Sequence, residues 1–396
     1  MEIANAKAAP ERVDMRVQRT LSAIDSTFKQ MICELDAPEI TVRELTRRAD
    51  INYKTFYLHY DCLEDLYIAK VRAVCQGYFD ALSACDQTTT PDRNRIFMEY
   101  FTNQEPYVER LICHPSYKNC SDEFVAICAR YHHERRSCFT VFTQNEEGLF
   151  GSFVISNLFD IYKRWVALDE PVSVDILVEF TNKLLYRGMS AFEPAGSSGG
   201  ARMNKDKLIL NENNTDPRTK RTHEAIKAAF EELICENEMS GVNVSKVAER
   251  AEINRKTFYL HYDCIEDLFD ETIDKVVEDY ARELDMLDDE CPIVDLYPTF
   301  YRYITKQEIY VERIVCDYSY SVPCERLVAG CAAANRNFFN IYANMTDEEQ
   351  ALFGHYIATN MFYLYRRWIE LGKQIPVDHL TSFAVKLLHD GMAWTH

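Results

Sequence analysis

The sequence has no run of 18 apolar residues, which excludes a membrane-spanning helix. Its first twenty residues, MEIANAKAAPERVDMRVQRT, contain no apolar stretch and do not read as a secretory leader. None of its 14 cysteines stands in a CxxC pair, so the common zinc patterns are absent. Cys113, Cys120, Cys128 and Cys138 form only a loose series around His132 and His133. Reduced cysteines in a cytoplasmic protein are the expectation. There is no GxSxG, P-loop, HExxH or dinucleotide glycine motif, so neither an enzyme nor a cofactor or metal is expected. Positive charge is also short. Lys and Arg number 44 against 63 Asp and Glu, a net charge of −19 over 396 residues. Such a total argues against a nucleic-acid partner until it is mapped along the chain. What is abundant is aromatic, with 24 Tyr and 22 Phe, and 47% of residues are apolar. Disorder is therefore excluded as an overall description.

The most informative feature is a repeat. Residues 19–70 align with residues 221–272 at a constant shift of 202, with 25 identities in 52 positions. KTFYLHYDC occurs intact at 54–62 and again at 256–264. Later segments align at a shift of 203: QEPYVERLIC (104–113) with QEIYVERIVC (307–316), and NLFDIYKRW (157–165) with NMFYLYRRW (360–368). A segment rich in Gly, Ser, Asn and charge, residues 193–217, separates the copies and reads as a flexible linker. Such a coil spans about 25–30 Å, enough to let two units pack side by side.

Helical periodicity dominates each unit. Ile24, Phe28 and Ile32, and their counterparts Ile226, Phe230 and Ile234, make one apolar stripe. A short second helix follows, with Val42, Leu45 and Ala49 as its buried face. Thr41 with Glu44 fits a capping box, and Asn243 is the equivalent N-cap. Asn52 and Asn254 would cap a third helix, read as 53–60 in the first unit. Asp61 with Glu64, and Asp263 with Glu266, would open a fourth. Two short helices joined by three or four residues form a helix-turn-helix pattern.

At KTFYLHYDCLEDL the sequence resembles the TetR (tetracycline-repressor-like) family of bacterial transcriptional regulators. The likeness covers about 50 residues of each unit, through ITVRELTRRADINYKTFYLHY and VNVSKVAERAEINRKTFYLHY. The aromatic pairs Tyr57/Tyr60 and Tyr259/Tyr262 stand in both copies. The resemblance implies an all-α fold with a DNA-binding three-helix head in each unit, followed by a helical effector and dimerisation domain. The expected layout is 1–70 head one, 71–192 body one, 193–217 linker, 218–272 head two and 273–396 body two. The last helices (148–168, 172–191, 347–371, 377–394) would form a four-helix interface, so that one chain is an intramolecular pseudo-dimer. A further homo-oligomer of such chains is also open. The implied partners are a double-stranded DNA operator and a small-molecule effector, with no membrane, and the implied function is a ligand-responsive repressor.

Mapping the charge removes the objection raised by the total. Residues 11–60 carry eight basic and eight acidic side chains, and residues 213–262 again eight of each. The excess of negative charge therefore lies outside both heads. Groove geometry assigns the third-helix residues Tyr53, Lys54 and Thr55, and Arg255, Lys256 and Thr257, to base edges. Tyr57, His59, Tyr259 and His261, with Thr41 and Asn243, would reach phosphates. Arg43, and its shorter counterpart Ser245, add a further contact position. Tyr53 stands opposite Arg255, Arg43 opposite Ser245, Thr41 opposite Asn243 and Arg47 opposite Glu249, so the two half-sites should be unequal. Asp50 and Glu252 replace the glycine common in the family's turn, which disfavours a left-handed turn there and brings acid close to DNA. The alternative reading is a fusion that keeps the fold for protein interaction or small-ligand binding, with DNA binding weakened or lost. An effector pocket would draw on Tyr107, Tyr131, His132, Arg136 and Trp165 in the first unit, and Tyr310 and Trp368 in the second.

Overall fold

The computed structural model describes residues 15–85, 90–135, 146, 149, 153–168, 172–192, 217–288, 291–338 and 345–392. Helices are the sole regular elements among these residues, with no strand. The proposed linker falls outside them, apart from its last residue, Pro217, which opens a helix. The chain divides into two compact units, Met1–Ser137 and Cys138–His396. This division falls inside the span 71–192 assigned above to one domain. The last helices of the first repeat thus group with the second repeat.

In the first unit, α1 (Met15–Glu34) buries Ile24, Phe28, Met31 and Ile32. This is the stripe read from the sequence, with Met31 added. Helix α2 (Val42–Arg48) buries Leu45 and Thr46, whereas Val42 and Ala49 are only half-buried. Thr46 tolerates burial because its hydroxyl donates to the Val42 carbonyl (2.9 Å). Helix α3 (Tyr53–Phe56) is one turn long, shorter than the span 53–60 expected from the pattern. After Phe56 the chain tightens to three-residue turns, with Leu58 N–H on Thr55 O (3.2 Å) and His59 N–H on Phe56 O (3.0 Å). Helix α4 (Leu63–Ala84) runs from the head into the body, where α5 (Thr90–Thr102), α6 (Pro106–Cys113) and α7 (Lys118–Arg135) pack.

The second unit opens with α8 (Phe153–Val166) and α9 (Val174–Arg187). It continues through a second head: α10 (Pro217–Glu236), α11 (Val244–Arg250), α12 (Arg255–Phe258) and the start of α13 (Ile265–Asp285). The second body follows with α14 (Leu296–Ile304), α15 (Ile309–Cys316), α16 (Ser321–Phe338), α17 (Asp347–Glu370) and α18 (Val377–Ala384). A π turn over Val385–His389 extends α18. The cores are aromatic: Tyr78, Phe97 and Phe124 are fully buried in the first unit, and Tyr280, Tyr297 and Tyr301 in the second. Of the four closing helices, α17 keeps the expected bounds to within a residue, while α9 is shorter than the expected 172–191 and α18 with its π turn stops at His389, short of the expected 394.

Helix α8 lies against α17 within the second unit. Gly188 (φ +60°) and Gly391 (φ +77°), equivalent at the shift of 203, meet backbone to backbone. A methyl group on Gly188 would stand 2.5 Å from the Gly391 nitrogen, and one on Gly391 2.4 Å from the Gly188 nitrogen. Both the left-handed φ and the close approach therefore require glycine.

Candidate nucleic-acid interface

Each head is a helix-turn-helix closed by the same capping geometry. Thr41 Oγ1 accepts from the Glu44 amide (3.2 Å), and Asn243 Oδ1 accepts from Ser245 and Lys246 (3.1 and 3.2 Å). Only half of the expected capping box forms at Thr41. The Glu44 carboxylate turns to Arg47 and Arg48 instead (2.6 and 2.8 Å), which hold it down at about 2. Two cations attract the carboxylate more strongly than one backbone amide does. Asn52 and Asn254 cap the third helices through the amides of Lys54 and Lys256 (2.9 Å each), as the sequence indicates. The fourth helices open one residue later than expected. Cys62 and Cys264 are their N-caps, and Asp65 and Asp267 accept from those cap amides (3.1 and 3.0 Å), not Glu64 and Glu266.

The turns differ from expectation in a second way. Asp50 (φ +52°) and Glu252 (φ +54°) do adopt the left-handed conformation. Hydrogen bonds from Ile51 N to Thr46 O (3.1 Å) and from Ile253 N to Ala248 O (2.9 Å) complete a Schellman motif in each head. Closure of the helix end thus outweighs the cost of a side chain at positive φ.

These motifs present α3 and α12 outward. Tyr53, Lys54 and Tyr57 are exposed in the first head, as are Arg255, Lys256 and Tyr259 in the second, while Thr55, Thr257, His59 and His261 are half-buried. Burial, and His223 beside it, lower the basicity of His261. Arg43 is exposed and Ser245 half-buried. The contact positions organise differently in the two heads. Tyr53 and Tyr57 touch hydroxyl to hydroxyl (3.0 Å), with their rings edge-on at 5.1 Å. In the second head the Arg255 guanidinium donates to the Ser245 hydroxyl. Two basic residues are spent internally: Arg48 on Glu34 (2.5 Å) and Arg250 on Glu232 and Glu236 (3.0 and 2.7 Å), tying the second helix of each head to the first.

One pair was missed by the sequence reading. Leu58 and Leu260 are 80% and 83% exposed beside the third helices. The signal was their place in the intact KTFYLHYDC of both copies, where the buried phenylalanines Phe56 and Phe258 stand two residues earlier.

The chain is 23% identical over 284 residues to the uncharacterized HTH-type transcriptional regulator YxbF of Bacillus subtilis (strain 168), covering 67% of each chain. No family model matches it.

That relative is named as a helix-turn-helix regulator. The residues named for an effector pocket occupy separate places. Tyr107 packs under Lys29, whose ammonium is 4.8 Å from the ring centre. Tyr131 stacks on Phe79 at 3.6 Å. Tyr310 and Trp368 are buried. The Trp165 and Trp368 indoles donate to the Val172 and Ile375 carbonyls (2.8 Å each), pinning equivalent loops. A small open depression adjoins Trp368, lined by Leu149, Leu371, Gln374 and Ile375. Arg136 and the His132 side chain lie outside the described residues. Among those residues, no group of three or more His, Cys, Asp and Glu is gathered as for a metal, and no helix is long and apolar enough to cross a membrane.

Proposed function

We propose that the chain is a sequence-specific DNA-binding transcriptional regulator of the TetR kind, in which two fused units read a pseudo-palindromic operator with unequal half-sites. The observation that carries this reading is the pair of helix-turn-helix heads, each exposing the same Lys, Tyr and Leu on and just after a capped one-turn helix. Lys54, Lys256 and Arg255 suit guanine O6 and N7, and the exposed leucines suit thymine methyl groups. The acidic remainder would keep DNA on the heads and off the rest of the surface. The seams at Gly188–Gly391 and at α8 with α17 support an intramolecular pseudo-dimer. Ligand-responsive repression follows from the resemblance.

Selection of bound sequences from a random DNA pool tests the reading. Enrichment of a two-part site with unlike halves, lost steeply as salt rises, is the expected result. No enrichment would leave the alternative, a fusion that keeps its fold for protein or small-ligand binding. Perfectly symmetric sites would remove the claim of unequal halves.

A further inference from the structure

We propose that Cys75 and Cys128 form an oxidisable dithiol that cross-links α4 to α7 in the first repeat only. Cys75 lies on α4 and Cys128 on α7, and their sulfurs are 3.9 Å apart. Both side chains are buried, 1% and 0% exposed, and the two helices pack along their length. A disulfide needs its sulfurs at about 2.05 Å, so bond formation requires rotation of the two side chains and closure of the remaining gap, with no new pairing of elements. The second repeat lacks the pair. Val277 stands at the position of Cys75, and Cys331 at that of Cys128.

The oxidant class is a small peroxide, because burial excludes bulkier reagents. One thiolate attacks a peroxide oxygen, the O–O bond breaks and the departing hydroxide takes up a proton as water. The resulting sulfenic acid is attacked by the second sulfur, an S–S bond forms and a second water leaves. Two S–H bonds are lost, the two sulfurs together give up two electrons and hydrogen peroxide accepts them. Burial, and the neighbouring Cys75, push the Cys128 thiol far up, so the reaction is slow at neutral pH and faster in mild alkali.

The consequence is mechanical. Helix α4 begins directly after the first head's reading segment and runs 22 residues into the body. A bond at Cys75 therefore fixes the helix on which that head is mounted, while α13, its counterpart in the second repeat, stays free of such a link. The site rests on thiol geometry and not on the DNA reading.

The test is peptide mapping of the full chain after graded hydrogen peroxide, with remaining thiols alkylated under denaturing conditions. A Cys75–Cys128 cross-linked peptide should appear, reversed by a dithiol reductant, while Cys331 remains alkylated as the internal control. In Cys75→Val, which copies the second repeat and keeps the core filled, Cys128 should stay reduced under the same dose. Hydrogen exchange across α4 should slow in the oxidised chain and stay unchanged in Cys75→Val. The proposal fails if Cys75 and Cys128 are still alkylated when the exposed Cys33, Cys62 and Cys85 have been oxidised. It fails equally if Cys128 oxidises as readily in Cys75→Val as in the native chain.

Discussion

Asn157 and Asn360 exchange amide hydrogen bonds across the seam between α8 and α17 (2.9 and 2.5 Å). Each also donates to the carbonyl one turn earlier on its own helix, at Phe153 and Tyr356 (2.8 Å each). The two residues are equivalent at the shift of 203 and are 3% and 2% exposed. A buried amide whose remaining partner, beyond its own helix, is its repeat-mate fixes the register of the seam. Slippage by one residue would leave polar groups unpaired in an apolar interface.

Replacing one member therefore costs more than replacing both. Asn157→Leu alone should lose about 1–3 kcal/mol, because Asn360 is left buried without its partner. The double variant Asn157→Leu/Asn360→Leu should recover much of that loss. Denaturant unfolding of the single and double variants gives the coupling energy. Simple additivity would mean that the pair does not set the register.

Asp50 and Glu252 carry side chains at positive φ in the two turns. Asp50→Gly and Glu252→Gly should each stabilise their head, by about 1 kcal/mol after allowing for the greater freedom of glycine in the unfolded chain. The gain should be larger at Glu252, since Asp tolerates this conformation better. On the DNA reading, each change also removes a negative charge beside the phosphates, so affinity should rise most at low salt. Equilibrium unfolding with a salt series of DNA titrations measures both effects.

Stability against pH should show two opposing groups on the α8 side of the second unit. Burial lifts the Asp160 carboxyl to about 6, against the pull of Lys163 and Arg164 and with help from Glu325. Burial also depresses His355 to about 3, reinforced by Arg164 and Lys163. His355 is therefore neutral at physiological pH and accepts from the Arg164 guanidinium (2.8 Å). Asp160, with its folded value raised, favours folding at low pH and loses that contribution as pH rises through about 6. His355, with its folded value lowered, contributes above about 6.5 and loses that contribution as pH falls toward 3. Between about 4 and 6 the two slopes oppose each other. Asp160→Asn should therefore unmask a loss of stability on acidification, and His355→Gln a gain. Thermal unfolding from pH 4 to 8 decides it, and parallel curves for both variants would refute the assignment.

On the DNA reading, the two heads differ at the proposed contact positions, and the difference should be transferable. Arg255→Ala should cost about 1–3 kcal/mol of discrimination at one base pair of one half-site and leave the other unaffected. Tyr53→Arg combined with Arg43→Ser gives the first head the Arg–Ser pair of the second, in which Ser245 receives the Arg255 guanidinium. Sites selected by that variant should become more nearly symmetric. Unchanged site preferences in both variants would place specificity elsewhere.

A second difference between the heads was invisible in the aligned motif. Tyr262 donates to Glu271 (2.7 Å) and pairs with His223 (2.8 Å), while Lys227 donates to the same carboxylate (3.0 Å). The first head has Leu21, Asp25 and Ala69 at the positions of His223, Lys227 and Glu271, so its Tyr60 has no such network to join. Each residue taken singly reads as a solvated charge. Only the packing of α10 and α13 around the segment that follows α12 makes them one cluster.

The sequence by itself determined the helical class, the duplication, the apolar stripe of the first helix and the caps at Asn52, Asn254, Thr41 and Asn243. These are local matters of period and short-range hydrogen bonding, which repeat when a segment repeats. It also marked candidate contact positions by motif, while passing over Leu58 and Leu260, because exposure is not written in a residue type. Tertiary structure alone decided the rest. Competition between partners turned Glu44 from its cap to two arginines. Helix-end closure drove Asp50 and Glu252 into the left-handed region against their preference. Packing across the seam joined Asn157 to Asn360 and Gly188 to Gly391, and it drew the last helices of the first repeat into the second unit. Such choices depend on which groups meet from far along the chain, and no local pattern encodes them.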